Sequence, residues 1–441
     1  MAVPSYCQWA TPILLFVLII VSPLASPDLW SRLRILYGKP EWPVDNTAIQ
    51  HALEPTTCHS DSLNVHIADG GGNPEEMTAA YRTLNECHNL RSLEVEIAQG
   101  GCLVSLNDQR AFIFSKDAWF TNLTLLRLSQ YDWNFRQRSS FGPYSYKQLS
   151  AELLLKAMDW TKLERLDIDL PSKIFLDLFQ KQLTGLQSLT FRPAWGYWGD
   201  EETLCGFDPE TLALRDLYTS FIANLPPLHE LRISGTGEVL NLKPILLKHG
   251  NTLRTLALHE HERDCASASS NNTSTRPTLS IKEMNQINMM APHLETLTLD
   301  LSRTPQGGWP MDALEVLSTY DNLQDLTLYF ELDDYSRMRD GDHCFNDWNP
   351  CRYPTIMEPL VNRNATGGLF GTLRHGQKSK KLQSLTLIAG DYGRRIGGGL
   401  RLPDLNLNQP RICRCRLQKD NAKTCGCRQR THLYGPDIDF D

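Results

Sequence analysis

Residues 253–258 read Leu-Arg-Thr-Leu-Ala-Leu, and the spacing of those leucines decides the fold. The phrase L-x-x-L-x-L, with Val, Ile or Phe sometimes in the last place, occurs nine times. It starts at Leu90, Leu123, Leu163, Leu186, Leu228, Leu253, Leu294, Leu323 and Leu382. Ser62–Ile67 reads as a degraded further copy at the front. The alternation L-x-L puts two apolar side chains on one face of a short strand. The leucine three positions earlier fits the turn that leads into it. One such unit cannot bury its apolar face alone, so neighbouring copies must stack into a solenoid.

Successive copies are separated by 33, 40, 23, 42, 25, 41, 29 and 59 residues. The short steps hold one strand and one return helix, and the long ones leave room for insertions. Helix-like periodicity fills Pro74–Glu86, Tyr146–Met158, Pro171–Leu183, Pro209–Leu225, Ile281–Met290 and Met311–Tyr320. Strand-then-helix alternation implies parallel strands.

On the nine copies, the chain resembles the leucine-rich-repeat superfamily over roughly residues 60 to 390. It is similar to the irregular fungal type, related to ribonuclease-inhibitor-like and F-box repeat proteins. The asparagine of the regular extracellular type is missing after each strand, where Ala98, Tyr131, Pro171, Ala194, Thr236, His261, Ser302, Glu331 and Gly390 stand. The resemblance implies an α/β, right-handed solenoid with a parallel β-sheet on the concave face and helices on the convex face. The expected layout is a signal peptide over 1–26, an N-terminal cap over 27–59, the solenoid over 60–392 and a Gly/Arg- and Cys-rich tail over 393–441.

Ile13–Val21 is an unbroken apolar run of signal-peptide length, with cleavage expected near Ala25/Ser26. No Lys or Arg precedes the run, so an uncleaved anchor stays open, and only that reading would tie the chain to a membrane. Sequons at Asn122, Asn271, Asn272 and Asn364 fit a secreted or cell-surface protein. Asn271 and Asn272, in a polar loop, are the best candidates, while Asn122, at the mouth of a strand, is expected to be too enclosed for modification.

The chain has twelve cysteines. Cys58, Cys87 and Cys102 are placed to staple a terminal cap, Cys344 and Cys351 to close a rim loop. Cys413-x-Cys415 and Cys425-x-Cys427 invite either two disulfides or a four-thiolate zinc site. C-x-C is tighter than the usual zinc spacing, and an oxidising compartment favours disulfides. Arg411–Arg430 carries seven Lys or Arg against one Asp, suiting a solvated tail, an acidic partner or the solenoid itself.

The net charge of −7 gives no argument for a nucleic-acid partner. Phosphate-loop, dinucleotide, nucleophile-elbow and zinc-protease motifs are missing, so no enzyme, cofactor or metal is expected. His259-Glu260-His261-Glu262-Arg263-Asp264 comes nearest to a metal cluster, and a solvated loop explains it as well. The expected function is binding of a protein or glycan across the concave face. The residue between the two strand apolars points outward there: Glu94, Arg127, Asp167, Thr190, Arg232, Ala257, Thr298, Thr327 and Thr386. Trp195, Tyr197 and Trp198, in an insert, are candidate aromatic anchors, with packing down over the rim as the alternative. Two alternatives stand beside this reading. One is an intracellular ubiquitin-ligase substrate adaptor, for which Pro27–Leu53 is short and lacks a convincing F-box opening. The other is a carbohydrate-active parallel β-helix, which predicts rungs without helices.

Overall fold

In the computed structural model, the described residues are 61–67, 84, 87, 89–97, 119–129, 131, 133, 150–169, 171–192, 209–234, 240–260, 278–304, 307–330, 359–389, 412–418 and 422–428. The chain divides into two compact units, Met1–Gly185 and Leu186–Asp441. The strands lie in chain order, β1 Ser62–Ile67, β2 Ser92–Ile97, β3 Leu125–Ser129 and β4 Arg165–Asp169 in the first unit. The second unit holds β5 Ser188–Arg192, β6 Glu230–Ser234, β7 Thr255–His259, β8 Thr296–Asp300, β9 Asp325–Phe330, β10 Ser384–Ala389, β11 Ile412–Leu417 and β12 Lys423–Arg428. β1 to β4 are mutually parallel, as are β5 to β10. β11 and β12 follow antiparallel.

Seven described helices alternate with these strands: α1 Ser150–Lys156, α2 Lys173–Phe179, α3 Pro209–Asn224, α4 Leu242–His249, α5 Ile281–Met290, α6 Met311–Ser318 and α7 Arg363–Gly376. This is a repeat-like α/β arrangement, compatible with a solenoid. Five of the helices overlap the expected segments, and α5 matches to the residue. The Pro74–Glu86 segment lies almost wholly outside the described residues. Two helices, α4 and α7, carry weaker signals. α4 has Pro244 in its first turn, where a proline is tolerated, and Asn241 caps it by accepting from Lys243 N. α7 holds three internal glycines, which favour the helix poorly, but Asn362 accepts from Ala365 N and tertiary packing completes it.

Every first and second leucine of the nine phrases is buried, and so is every third apolar residue except Leu258. Burying each contributes about 1.5–3 kcal/mol, which makes this stack the main apolar stabilisation. The β7–β8 ladder stops at Ala257–Thr298, so Leu258 lacks a strand neighbour on that side and is partly exposed. In the first unit an aromatic cluster fills the space behind β4. Trp133 lies 4.5 Å from Phe175, Phe175 stacks on Phe179 at 4.7 Å, and Phe179 meets Trp160 at 4.4 Å.

Backbone approach is close at two turns. A Cβ on Gly185 would sit 2.3 Å from Thr161 O, and one on Gly250 would sit 2.1 Å from Met290 O. Neither neighbour is a side chain that could swing aside.

A second buried device ties α3 and α4 to the start of β6. His249 is fully buried. Its Nδ1 lies 3.1 Å from Leu228 N and its Nε2 2.8 Å from Ile222 O. The amide can only donate and the carbonyl can only accept, so the ring is neutral with its proton on Nε2. Burial lowers its pKa first, and Lys248 acts in the same direction; the Ile222 bond opposes them.

The Cys-bearing part of the tail extends the sheet. β11 pairs with β10, and β12 pairs with β11. Cys413–Cys427 and Cys415–Cys425 are disulfides between directly opposed residues, with Cα–Cα distances of 4.0 and 4.1 Å. They sit two apart on one face, where Cys413 and Cys415 are fully buried. α7 lies against this hairpin, and Lys423 Nζ donates to Gly367 O. The hairpin covers β10, whose open edge would otherwise invite pairing with another chain. Of the other cysteines, Cys87 is disulfide-bonded, while Cys344 and Cys351 lie outside the described residues.

Two outcomes are expected. The folded pKa of His249 lies below its unfolded value, so its stabilising effect is present above about pH 6.5 and is lost as pH falls through the lower folded value. Thermal unfolding followed from pH 7.5 to 5 should show the midpoint dropping across that window, and His249→Phe should flatten the drop while costing about 1–3 kcal/mol. Reduction, or a Cys413→Ser/Cys415→Ser variant, should destabilise the C-terminal hairpin by about 3 kcal/mol. Amide exchange in 412–428 reads this directly; unchanged protection would show that the disulfides do not hold the hairpin.

Candidate functional site

Strand alternation that buries the leucines turns the intervening residues to the opposite, open face of the sheet. In the first unit this row is Asn64, Glu94, Arg127 and Asp167, one from each strand and aligned by register. It forms a continuous polar ladder. Asn64 Nδ2 donates to Glu94 Oε2 at 3.2 Å, and Arg127 lies between Glu94 at 4.0 Å and Asp167 at 3.3 Å. Beside it, Ser129 Oγ donates to Asp169 Oδ2 at 2.7 Å. The charges expected to greet a ligand are therefore partly committed to one another. Such exposed pairs contribute about 0–1 kcal/mol each and can exchange partners readily.

In the second unit the row runs Thr190, Arg232, Ala257, Thr298, Thr327 and Thr386, then Arg414 and Gly426. Glu230 pairs with Arg232 Nε and accepts from Ser188 Oγ at 2.9 Å. Arg232 keeps 46% of its side chain exposed. Its neighbour Ala257 is small and buried, and separates Arg232 from the three threonines along the row. On the adjacent row Ser384 Oγ donates to Asp325 Oδ1 at 2.6 Å.

Arg414 belongs to this surface, although it comes from the tail. Its Nη2 reaches Ser384 Oγ at 3.5 Å. Burial pushes its pKa down, Arg416 adds to that, and Asp325 opposes it. The alternation Ile412-Cys-Arg-Cys-Arg-Leu417 was the available signal: it reads as one more strand, with Arg414 in the outward place.

At the end of β7 a different cluster forms. Asp300 accepts from His259 Nδ1 at 2.8 Å and from Glu260 N–H. The His259 ring stacks on Tyr329 with centroids 3.8 Å apart, across the strand that carries Asp300. The carboxylate thus takes up a backbone donor just where the β7–β8 ladder ends. His261, the second histidine of the sequence cluster, lies outside the described residues. Among the described residues no group of three or more His, Cys, Asp or Glu is placed to hold a metal ion.

Of the four sequons, Asn122 and Asn364 are described and both are exposed, against the enclosure expected at Asn122. Asn271, Asn272, Trp195, Tyr197 and Trp198 lie outside the described residues. No described helix is long and apolar enough to cross a membrane, and the disulfides suggest an extracellular environment.

If the carboxylate of Asp300 completes the end of β7, Asp300→Ala should cost about 1–3 kcal/mol by leaving a buried donor unsatisfied. Chemical unfolding checks this, and a cost below about 0.5 kcal/mol would assign the cluster to something other than structure. No family model matches this chain, and no curated protein matches its sequence at a significant level.

Proposed function

We propose that this protein is a non-catalytic, secreted or cell-surface binding protein of the leucine-rich-repeat type. It recognises a protein or glycan through the open strand face, the face expected to be concave. The observation that carries this reading is the register itself. Parallel pairing sets one outward side chain per strand in line, giving Glu94–Arg127–Asp167 in one unit and Thr190–Arg232 to Thr386 in the other. A rigid, regularly spaced row of this kind presents polar groups to a ligand at little entropic cost.

Two features support export. Paired cystines are favoured in oxidising compartments, and the N-terminal apolar run has signal-peptide length. Helices between the strands count against the parallel β-helix alternative.

In this reading Arg127 and Arg232 are the exchangeable charges. A ligand carboxylate or hydroxyl would replace Glu94 or Asp167 at Arg127, and Glu230 at Arg232. Pull-down of extracellular partners with the secreted protein should lose them when Arg127→Glu and Arg232→Glu are combined. Thermal stability should change little, since both side chains are about half exposed. Recovery of every partner at wild-type levels would remove the open face from the binding role.

A further inference from the structure

A second surface, away from the open-face row, gathers positive charge. The turn after α7 runs Gln377-Lys-Ser-Lys-Lys-Leu382 and is held by buried bonds. Gln377 is almost fully buried; its Nε2 donates to Tyr320 O at 2.6 Å and Leu323 O at 3.0 Å, and its Oε1 accepts from Leu382 N at 2.8 Å. Ser379 Oγ donates to Asp321 O. The backbone is thus fixed from both sides. Within it Lys380 adopts φ 53°, the left-handed region that non-glycine residues rarely occupy.

This turn forms one wall of a pocket of about 460 Å³, with Gln324, Arg374, Lys380, Lys381, Gln383 and Gln418 in its lining. It is an open depression, with Lys380, Lys381, Gln383 and Gln418 exposed, so it can take one ring of a longer chain that runs on over the surface. No carboxylate lines it. Arg374 donates to Leu382 O at 2.6 Å and Lys381 to Asn322 Oδ1 at 2.6 Å, both uncharged acceptors. Among the described residues none of the three cations makes a salt bridge. Arg374 alone would be explained by the negative end of α7. Lys380 and Lys381 lie beyond the helix, and a strained, pinned backbone delivers Lys380. Three glutamine amides complete the wall with donors and acceptors suited to hydroxyls.

We propose that this pocket binds a sulfated oligosaccharide. Sulfate groups meet Arg374, Lys380 and Lys381, and sugar hydroxyls meet Gln324, Gln383 and Gln418. The site shares no lining residue with the open-face row and stands whether or not that face binds a ligand.

The test uses the full-length chain and a heparin-derived octasaccharide, titrated over a series of salt concentrations. Wild type should bind with a salt-dependent affinity. Lys380→Gln/Lys381→Gln should weaken it by about tenfold or more and lower the slope of log affinity against log salt by about two. Lys378→Gln, in the same turn but not in the lining, should stay within about twofold. Arg127→Glu should likewise bind the octasaccharide as wild type does. Circular dichroism and the unfolding midpoint establish that the lysine variant is folded. Failure of wild type to bind, or equal loss in Lys378→Gln, overturns the proposal. Tighter binding to vesicles of phosphatidylcholine with phosphatidylinositol phosphate than to the octasaccharide overturns the glycan assignment, as does tighter binding to free inositol phosphate.

Discussion

A single backbone carbonyl, repeated at the start of each strand, sets the geometry on which everything else rests. The second residue of one L-x-x-L-x-L phrase accepts two hydrogen bonds, from the second and third residues of the next. Arg91 O accepts from Thr124 N and Leu125 N, and Thr124 O accepts from Glu164 N and Arg165 N. In the second unit the same step passes from Gln187 to His229, Arg254, Glu295, Gln324 and Gln383. Distances run from 2.7 to 3.2 Å. Here backbone bonds to the next repeat satisfy the strand start, and no side-chain identity is required beyond the flanking leucines.

That constraint explains which parts were legible in sequence. The leucine spacing shows where each strand begins because the carbonyl bridge and the burial of Leu123, Leu163 or Leu253 occupy adjacent residues. Ser62–Ile67 was legible as a degraded copy because Leu63 and Val65 still alternate, although a leucine is missing from its first place. Helices were legible where caps and periodicity agree, as in α5, whose Ser280 and Glu283 form a reciprocal capping box. They were not legible where the sequence argues against helix. α7 carries Gly367, Gly368 and Gly371, and its stability comes from packing against β10 and the disulfide-linked hairpin, which no local window contains.

The candidate site divides in the same way. Which residues face outward followed from alternation, since a strand has a period of two. What those residues do to one another did not. Arg127 between two carboxylates depends on three strands separated by 33 and 40 residues, and its partial neutralisation is a tertiary fact. Arg414 was harder still, because its place in the row depends on the tail turning back antiparallel. The basic pocket was invisible for another reason: it joins Gln324, a turn and Gln418, which belong to no common motif.

Stability and recognition are therefore carried by different atoms. The buried leucines and the carbonyl bridges hold the strands, so the open face answers to little beyond strand propensity. Exposed pairs there are weak, and this weakness suits a surface whose partners must be exchanged for those of a ligand. The turn after α7 shows the opposite economy. Gln377 is buried and fully bonded, and Lys380 holds an unfavourable backbone, yet the three cations it helps to gather meet no carboxylate in the pocket. Arg127 and Arg232, by contrast, lie against neighbouring carboxylates. Like charges held together by a pinned backbone repel one another, and a bound anion is the species that relieves that repulsion while using the same bonds that fix the turn.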